Sequence, residues 1–169
     1  GYTHRLPRDD RSDGPARAAD LWVLLESQET VGVGPAQFEE FIFPYQADIA
    51  RRFGSCYYGC CEPLDRKMEQ VRRIPNLRKV SMSPFADMAR GAEAVRGDFV
   101  ISHKPNPALL AVDNWSADAS QSALTHALEV SEGCHVEIIL KDISTIRGEP
   151  RRLDDWAAMA TKLAHQFSR

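Results

Sequence analysis

Two adjacent cysteines and a carboxylate stand where a short apolar run ends, in the sequence Tyr57-Tyr58-Gly59-Cys60-Cys61-Glu62. Thiolates and carboxylates are common protein ligands of zinc, and a carboxylate can also transfer protons. We therefore predict Cys60, Cys61 and Glu62 as metal ligands. The other interpretation is that both cysteines are small buried side chains without chemistry, as cysteines often are.

Charged and polar side chains follow four other apolar runs, which end near residues 25, 80, 103 and 140. Such side chains transfer protons or bind charged groups of a substrate. The predicted catalytic residues are Glu29, His103, Lys141 and Asp142. The predicted substrate-binding residues are Glu26, Tyr58 and Lys104. Each position also has a simpler interpretation, as a solvated loop carboxylate, a histidine at a loop rim or a structural ion pair.

Alternating strands and helices are needed to bring these residues together, and the chain has the pattern of such a fold. Compact apolar runs predict strands at 21–25, 55–60, 77–83, 99–103 and 136–140. Helices are predicted between and after them, at 35–53, 64–74, 88–95, 116–131 and 153–167. This order favours parallel strands, whose carboxyl ends meet at one edge. The sequence therefore predicts an α/β fold, a partial TIM-type β/α barrel with about five parallel strands.

The period of two within each strand predicts which side chains face the interior of the barrel. Lys79 and Ser81 in the third strand and Glu137 in the fifth are predicted on the face away from the helices. In the second strand, Tyr58 is predicted to share a face with Cys60. The first helix is predicted to have one apolar face and a kink at Pro44. Its apolar face consists of Phe38, Phe41, Ile42, Tyr45 and Ile49.

The composition is that of an ordinary globular protein. The chain has 169 residues, of which 43% are hydrophobic and 27% charged, and a formal net charge of −3. We read residues 1–20 as a polar linker and 21–169 as one domain. The mixed charges predict no nucleic-acid binding, and no apolar run approaches the roughly 20 residues that a membrane helix needs. We expect a cytoplasmic protein whose four cysteines are reduced.

Two segments of the chain resemble the uroporphyrinogen decarboxylase superfamily, most closely its cobalamin-dependent methyltransferase branch. Residues 35–45, Pro-Ala-Gln-Phe-Glu-Glu-Phe-Ile-Phe-Pro-Tyr, are similar to a helix motif of that family. Residues 100–107 resemble a family strand that ends in an Asn-containing loop closed by proline. The resemblance runs from about residue 21 to the end and implies the carboxy-terminal part of that barrel. We therefore expect the barrel to be completed by a missing N-terminal half or by homo-oligomerisation.

The methyltransferase resemblance implies a zinc ion that holds a substrate thiol as thiolate. In that branch a His-x-Cys pair and a later Cys bind the metal. Here Cys60 falls at the first Cys position, Tyr58 stands at the His position, and Lys141 falls near the second Cys. This departure leaves Cys61, Glu62 or His103 as substitute ligands.

The resemblance implies methyl transfer that involves a corrinoid or a thiol and is assisted by zinc. It also implies a small-molecule substrate and a corrinoid protein as partner. One alternative is a metal-free decarboxylase or lyase of the same superfamily, in which His103, Lys141 and Asp142 handle protons. Another is a non-catalytic half-barrel that binds a ligand or partner. The sequence leaves open whether this chain is active by itself.

Overall fold

The fold is α/β, with five parallel strands in one sheet. The computed structural model describes residues 15–168, so most of the predicted linker and residue 169 lie outside it. The sheet order follows the chain order, β1 to β5. The strands are β1 Trp22–Leu25, β2 Ser55–Tyr58, β3 Leu77–Met82, β4 Val100–His103 and β5 His135–Ile138. This confirms the predicted partial β/α barrel, which is not closed within residues 15–168.

Helices connect the strands and follow the last one. They are α1 Pro35–Phe41, α2 Phe43–Ala50, α3 Met68–Val71, α4 Met88–Val95, α5 Ala108–Ala111, α6 Ala117–Val130 and α7 Arg151–Phe167. The single helix predicted at 35–53 is divided at Ile42, because Pro44 lacks the amide hydrogen that a continuous helix needs. The helix predicted at 64–74 shrinks to α3, which is flanked by hydrogen-bonded turns. Among residues 15–168 no helix is long and apolar enough to cross a membrane.

The helix-facing side of the sheet forms the main hydrophobic core. Val80 and Met82 of β3 are fully buried there, as the alternation predicted. Val136 and Ile138 of β5 pack against a second cluster that Leu124, Trp156 and others form between α6 and α7. Each such side chain contributes about 1.5–3 kcal/mol when it leaves water completely. The core therefore fixes which side of each strand is free for chemistry.

Strand β2 differs from the predicted alternation. Tyr58 is fully buried in the core, where its ring packs edge-on against Phe38 with 6.4 Å between the ring centroids. The predicted shared face of Tyr58 and Cys60 is therefore wrong. The reason is Gly59, whose φ of +94° breaks the extended backbone before Cys60.

The opposite face of the sheet is polar and only partly covered. Lys79 Nζ lies 2.7 Å from Glu137 Oε2 and sits over the rings of Trp22 and Tyr57, at 6.0 and 5.6 Å from their centroids. Tyr57 Oη donates to Ser102 Oγ at 2.9 Å. This confirms the prediction that polar residues lie on the face away from the helices.

The predicted apolar face of the first helix is largely exposed. Phe38 is fully buried, but Phe41 is 62%, Tyr45 72% and Ile49 42% exposed. The break at Ile42 turns α2, and only the Phe38 side meets the sheet. The predicted apolar face is thus divided at Ile42 between α1 and α2, and three of its five members are exposed.

Candidate functional site

A sharp turn after β2 positions the two adjacent cysteines. Gly59 has a φ of +94°, and a Cβ built there would lie 2.4 Å from Leu64 Cδ1, so the turn favours glycine. The Gly59 amide donates to the Leu25 carbonyl at 2.7 Å. The Cys60 carbonyl accepts from Ser81 Oγ at 2.7 Å and from Lys104 Nζ at 2.9 Å. Leu25 of β1 therefore holds the backbone at Gly59, and Ser81 of β3 and Lys104, directly after β4, hold it at Cys60.

Glu62 holds this turn in place by hydrogen bonds from its buried carboxylate. Its side chain is only 1% exposed. Oε1 accepts from the Ser27 amide at 2.9 Å, and Oε2 accepts from the Cys60 amide at 2.8 Å. Hydrogen bonds from backbone amides to a carboxylate are among the stronger ones in proteins. Glu62 was predicted as a metal ligand. In the structure both of its carboxylate oxygens accept hydrogen bonds from backbone amides.

Lys141 brings the sulfur atoms and a second carboxylate together. Its Nζ lies 3.3 Å from Cys60 Sγ, 3.1 Å from Cys61 Sγ and 3.0 Å from Asp142 Oδ2. The two sulfur atoms are 3.6 Å apart, and both cysteines are free thiols. We call Cys60, Cys61, Lys141 and Asp142 the thiol cluster. The thiol cluster thus brings together two predicted metal ligands, Cys60 and Cys61, and two predicted catalytic residues, Lys141 and Asp142.

The backbone after β5 is shaped to form this cluster. The Ile139 amide donates to the His103 carbonyl at 2.9 Å, which continues the parallel pairing past the end of β5. Asp142 has a φ of +57°, a left-handed conformation that Asp tolerates better than most residues. Its carboxylate forms an ion pair with the Lys141 ammonium and accepts a hydrogen bond from Cys61 Sγ at 3.6 Å.

The contacts of Lys141 favour its charged form. Burial alone would lower the pKa of Lys141, but its contacts with Cys61, Asp142 and Cys60 raise this pKa above its usual range. The hydrogen bond from Lys141 in turn lowers the pKa of Asp142. Lys141 therefore stays protonated near neutral pH and stabilises negative charge at this position.

Cys60 is held as a thiol when no ligand is bound. Burial raises the pKa of Cys60, and the hydrogen bond from Lys141 opposes that rise. The Glu26 carboxylate also raises the pKa of Cys60. Glu26 was predicted to bind substrate, and the structure shows it as an exposed residue directly after β1. Lys104 lies close enough to favour the thiolate by charge alone.

The other predicted site residues lie outside the thiol cluster. Glu29 is exposed on a 3-10 turn at Gln28–Thr30. Tyr58 Oη hydrogen-bonds to Ser27 Oγ at 3.1 Å and to Gln46 Oε1 at 2.6 Å, and burial raises its pKa well above the usual range. His103 contributes a buried Nδ1 that has no hydrogen-bond partner among residues 15–168. Burial lowers the pKa of His103 to about 4, so this ring is neutral at physiological pH.

The residues present do not fit a zinc centre in this arrangement. Two sulfur ligands of one tetrahedral zinc lie about 3.8 Å apart, close to the 3.6 Å between Cys60 Sγ and Cys61 Sγ. However, Lys141 Nζ contacts both sulfur atoms, in the place where a shared ion would be. Among residues 15–168 there is also no group of three or more His, Cys, Asp or Glu side chains arranged to hold a metal ion. The cluster fits a thiol pair stabilised by a cation better than a structural or catalytic zinc site.

Several supporting residues were not predicted as site residues, although Ser81 was predicted on the polar face of β3. Ser81 and Ser102 are fully buried polar side chains, and Gln46 hydrogen-bonds to both Ser27 and Tyr58. For Ser81 and Ser102, the presence of a serine within an apolar strand could have indicated a supporting role. Gln46 lies on a helix among ordinary polar residues and had no such signal.

Comparisons with protein-family models, curated proteins and solved structures find no match to this chain. The relationship to the uroporphyrinogen decarboxylase superfamily therefore stays a prediction from the residues quoted above. The fold and the thiol cluster are observations of the structure and do not depend on that relationship.

Proposed function

We propose that this chain carries the thiol centre of a methyltransferase-type enzyme, in which Cys60 accepts a methyl group. The single observation that carries the proposal is the position of the Lys141 ammonium, 3.3 and 3.1 Å from the two sulfur atoms. A cation beside a thiol favours the thiolate, which is the reactive nucleophile. The methyl group as the transferred unit comes from the family resemblance alone.

The chemistry of the step follows from the neighbours of Cys60. The Glu26 carboxylate takes the thiol proton, and Lys141 stabilises the sulfur anion that results. The thiolate then attacks the methyl carbon, so that a sulfur–carbon bond forms while the donor keeps the electron pair of the broken bond. The anion of Asp142 keeps Lys141 oriented between both sulfur atoms. A methylated corrinoid on a partner protein or a small methylated molecule would be the donor.

Mass analysis of the methylated protein tests this proposal. The purified chain is incubated with methylcobalamin, and in parallel with a small sulfonium methyl donor, and the peptide that contains Cys60 is analysed. We expect one added methyl group on Cys60, lost in Cys60→Ser and strongly reduced in Lys141→Ala. Cys134→Ser is the matched control, because Cys134 lies beside the Ala92 carbonyl and away from the cluster. Equal labelling of all cysteines, or labelling unchanged by Lys141→Ala, would contradict the proposal.

Metal analysis separates the zinc-assisted form of this function from the metal-free form. We expect no stoichiometric zinc in the dialysed wild-type protein, because Lys141 contacts both potential sulfur ligands. Stoichiometric zinc that is lost in Cys60→Ser would show that Lys141 moves aside, and would restore the zinc-assisted interpretation. The fixed positive charge of Lys141 gives less support to a lyase in which this residue moves protons.

A further inference from the structure

The two thiols of the turn after β2 lie close enough to react with each other. Cys60 Sγ and Cys61 Sγ are 3.6 Å apart, and both side chains are partly exposed. A disulfide bond is about 2.0 Å long, so rotation of the two side chains must bring the sulfur atoms closer by about 1.6 Å. The other cysteines are placed differently, since Cys56 is fully buried in the core and Cys134 donates to the Ala92 carbonyl. An oxidant from solvent therefore finds two neighbouring thiols at this turn.

The charged neighbours of this pair favour its oxidation. Oxidants react with the thiolate, and a nearby cation favours the thiolate over the thiol. Lys141 Nζ donates to both sulfur atoms, at 3.3 Å to Cys60 and 3.1 Å to Cys61. Cys61 Sγ also donates to Asp142 Oδ2 at 3.6 Å, so a carboxylate lies where the Cys61 proton leaves. The cluster thus supplies one sulfur to attack an oxidant and a second sulfur, close by, to close a bond.

The backbone of the turn resists the small ring that a bond between adjacent cysteines closes. Adjacent Cα atoms lie about 3.8 Å apart, below the range of roughly 4.4–6.8 Å that disulfides prefer. The peptide between the two residues is also held, because the Cys60 carbonyl accepts from Ser81 Oγ at 2.7 Å and from Lys104 Nζ at 2.9 Å. Strained and exposed disulfides are the easily reduced, regulatory ones. We therefore expect this bond to open again under mild reduction.

Lys141 also favours the reduced form of the pair. Its hydrogen bonds stabilise negative charge on sulfur, and a neutral disulfide loses that stabilisation. A disulfide whose reduced form is stabilised in this way is easier to reduce. The ion pair with Asp142, 3.0 Å long, keeps the ammonium beside the sulfur atoms. One cation therefore speeds oxidation, by supplying thiolate, and eases the return to the reduced state.

We propose that Cys60 and Cys61 form a reversible disulfide when the protein meets a peroxide, which makes this turn an oxidative modification site. The Cys60 thiolate attacks one peroxide oxygen, the O–O bond breaks, and hydroxide leaves with the electron pair, so that a sulfenic acid forms. The Cys61 thiolate then attacks the sulfenic sulfur, the S–O bond breaks, and a second hydroxide leaves. Each hydroxide takes up the proton that one thiol released. Two thiols and one hydrogen peroxide thus give one disulfide and two water molecules, with sulfur oxidised and peroxide oxygen reduced.

This proposal needs no methyl donor, so it and the proposed methyl transfer can fail separately. A closed disulfide has no free thiol to accept a methyl group. If both proposals hold, peroxide treatment therefore stops methylation of Cys60, and reduction restores it.

Peptide mass analysis after treatment with equimolar hydrogen peroxide tests the proposal. We expect the wild-type peptide that contains both cysteines to lose two hydrogen atoms, and reduced glutathione to restore its mass. Lys141→Ala should form the disulfide about tenfold more slowly at pH 7. Lys79→Ala is the matched control and should keep the wild-type rate, because its ammonium pairs with Glu137. Sulfinic acid without any disulfide, disulfides between chains, or oxidation of Cys134 at the same rate would overturn the proposal.

Trapping with dimedone, which reacts with sulfenic acids, tests the role of Cys61. We expect a dimedone adduct on Cys60 in Cys61→Ser, where no second thiol closes the bond, and its loss in wild type. Circular dichroism checks that the variant keeps its helix content. The same amount of adduct in both proteins would show that Cys61 does not react with the sulfenic acid, and would overturn the proposal.

Equilibration with glutathione tests whether Lys141 stabilises the reduced pair. We expect Lys141→Ala to become half oxidised in a glutathione buffer about tenfold more reducing than wild type requires, because the anion on sulfur has lost its cation. Lys141→Arg should stay close to wild type. The same midpoint in Lys141→Ala and wild type would exclude this role of the cation.

Discussion

The ammonium of Lys141 lies 3.1 Å from the sulfur of Cys61, although 80 positions separate the two residues in the chain. Strand β5 brings Lys141 to the end of the sheet at which β2 delivers the cysteines. Parallel strands alone produce this meeting, since their carboxyl ends share one edge. The parallel topology of the sheet therefore forms the thiol cluster. The residues that hold its backbone in place can be tested one at a time.

Removal of the Glu62 carboxylate is expected to destabilise the protein. Glu62 is buried and accepts hydrogen bonds from the amides of Ser27 and Cys60, each of which contributes about 1.5–3 kcal/mol when the acceptor is charged. We expect Glu62→Ala to lower the free energy of unfolding by about 3 kcal/mol, measured by urea denaturation. Glu29→Ala removes an exposed carboxylate and is expected to change stability by less than about 0.5 kcal/mol. Equal effects of the two substitutions would rule out the anchoring role.

A side chain at Gly59 is expected to strain the turn that carries the cysteines. Gly59→Ala must adopt a φ of +94° and bring its Cβ against Leu64 Cδ1. We expect a loss of about 1–3 kcal/mol of unfolding free energy, the usual range for such backbone strain. Gly32→Ala is the control, because apart from its chain neighbours no atom of residues 15–168 lies within 4 Å of its added Cβ. A Gly59→Ala protein as stable as Gly32→Ala would contradict the interpretation of this turn.

His103 is expected to make the protein sensitive to acid. Burial lowers the pKa of His103 in the folded state to about 4, whereas an unfolded histidine titrates near 6.5. Between these values the unfolded chain binds more protons, so stability falls as the pH falls from about 6.5 to 4. We expect His103 to account for a loss of roughly 2 kcal/mol between pH 7 and pH 5.

Urea denaturation of His103→Leu at both pH values measures this contribution. The variant should lose about 2 kcal/mol less than wild type between pH 7 and pH 5. His126→Leu replaces an exposed histidine and should behave like wild type. The same pH dependence in wild type and His103→Leu would exclude a buried neutral imidazole.

The sequence predicted the sheet well because its signals are local. Apolar runs marked all five strands, and the alternation in β3 correctly assigned Val80 and Met82 to the helix side. It failed in β2, where the positive φ of Gly59 separates the face of Tyr58 from the position of Cys60. A rule of period two cannot anticipate such a turn from the residue types alone.

The partners within the site were harder to predict than its location. Glu62 resembled a ligand because it follows two cysteines, but its role depends on the amide of Ser27, which is 35 positions away. The apolar period of the first helix predicted a shared face but not its exposure, and nothing within residues 15–168 covers Phe41 and Tyr45. Both features depend on tertiary contacts, which a local pattern does not contain.

The pH dependence of cysteine alkylation tests the central claim, that Lys141 activates the thiol pair, most directly. The rate of iodoacetamide addition at Cys60 is followed by peptide mass analysis in wild type, Lys141→Ala and Lys141→Arg, with Lys79→Ala as the control. Lys141 opposes the rise in the pKa of Cys60, so its loss should move the rate profile to higher pH and slow the reaction at pH 7.5 about tenfold. Lys141→Arg should retain most of the rate, and Lys79→Ala should match wild type. A Lys141→Ala profile that coincides with that of wild type would contradict the account.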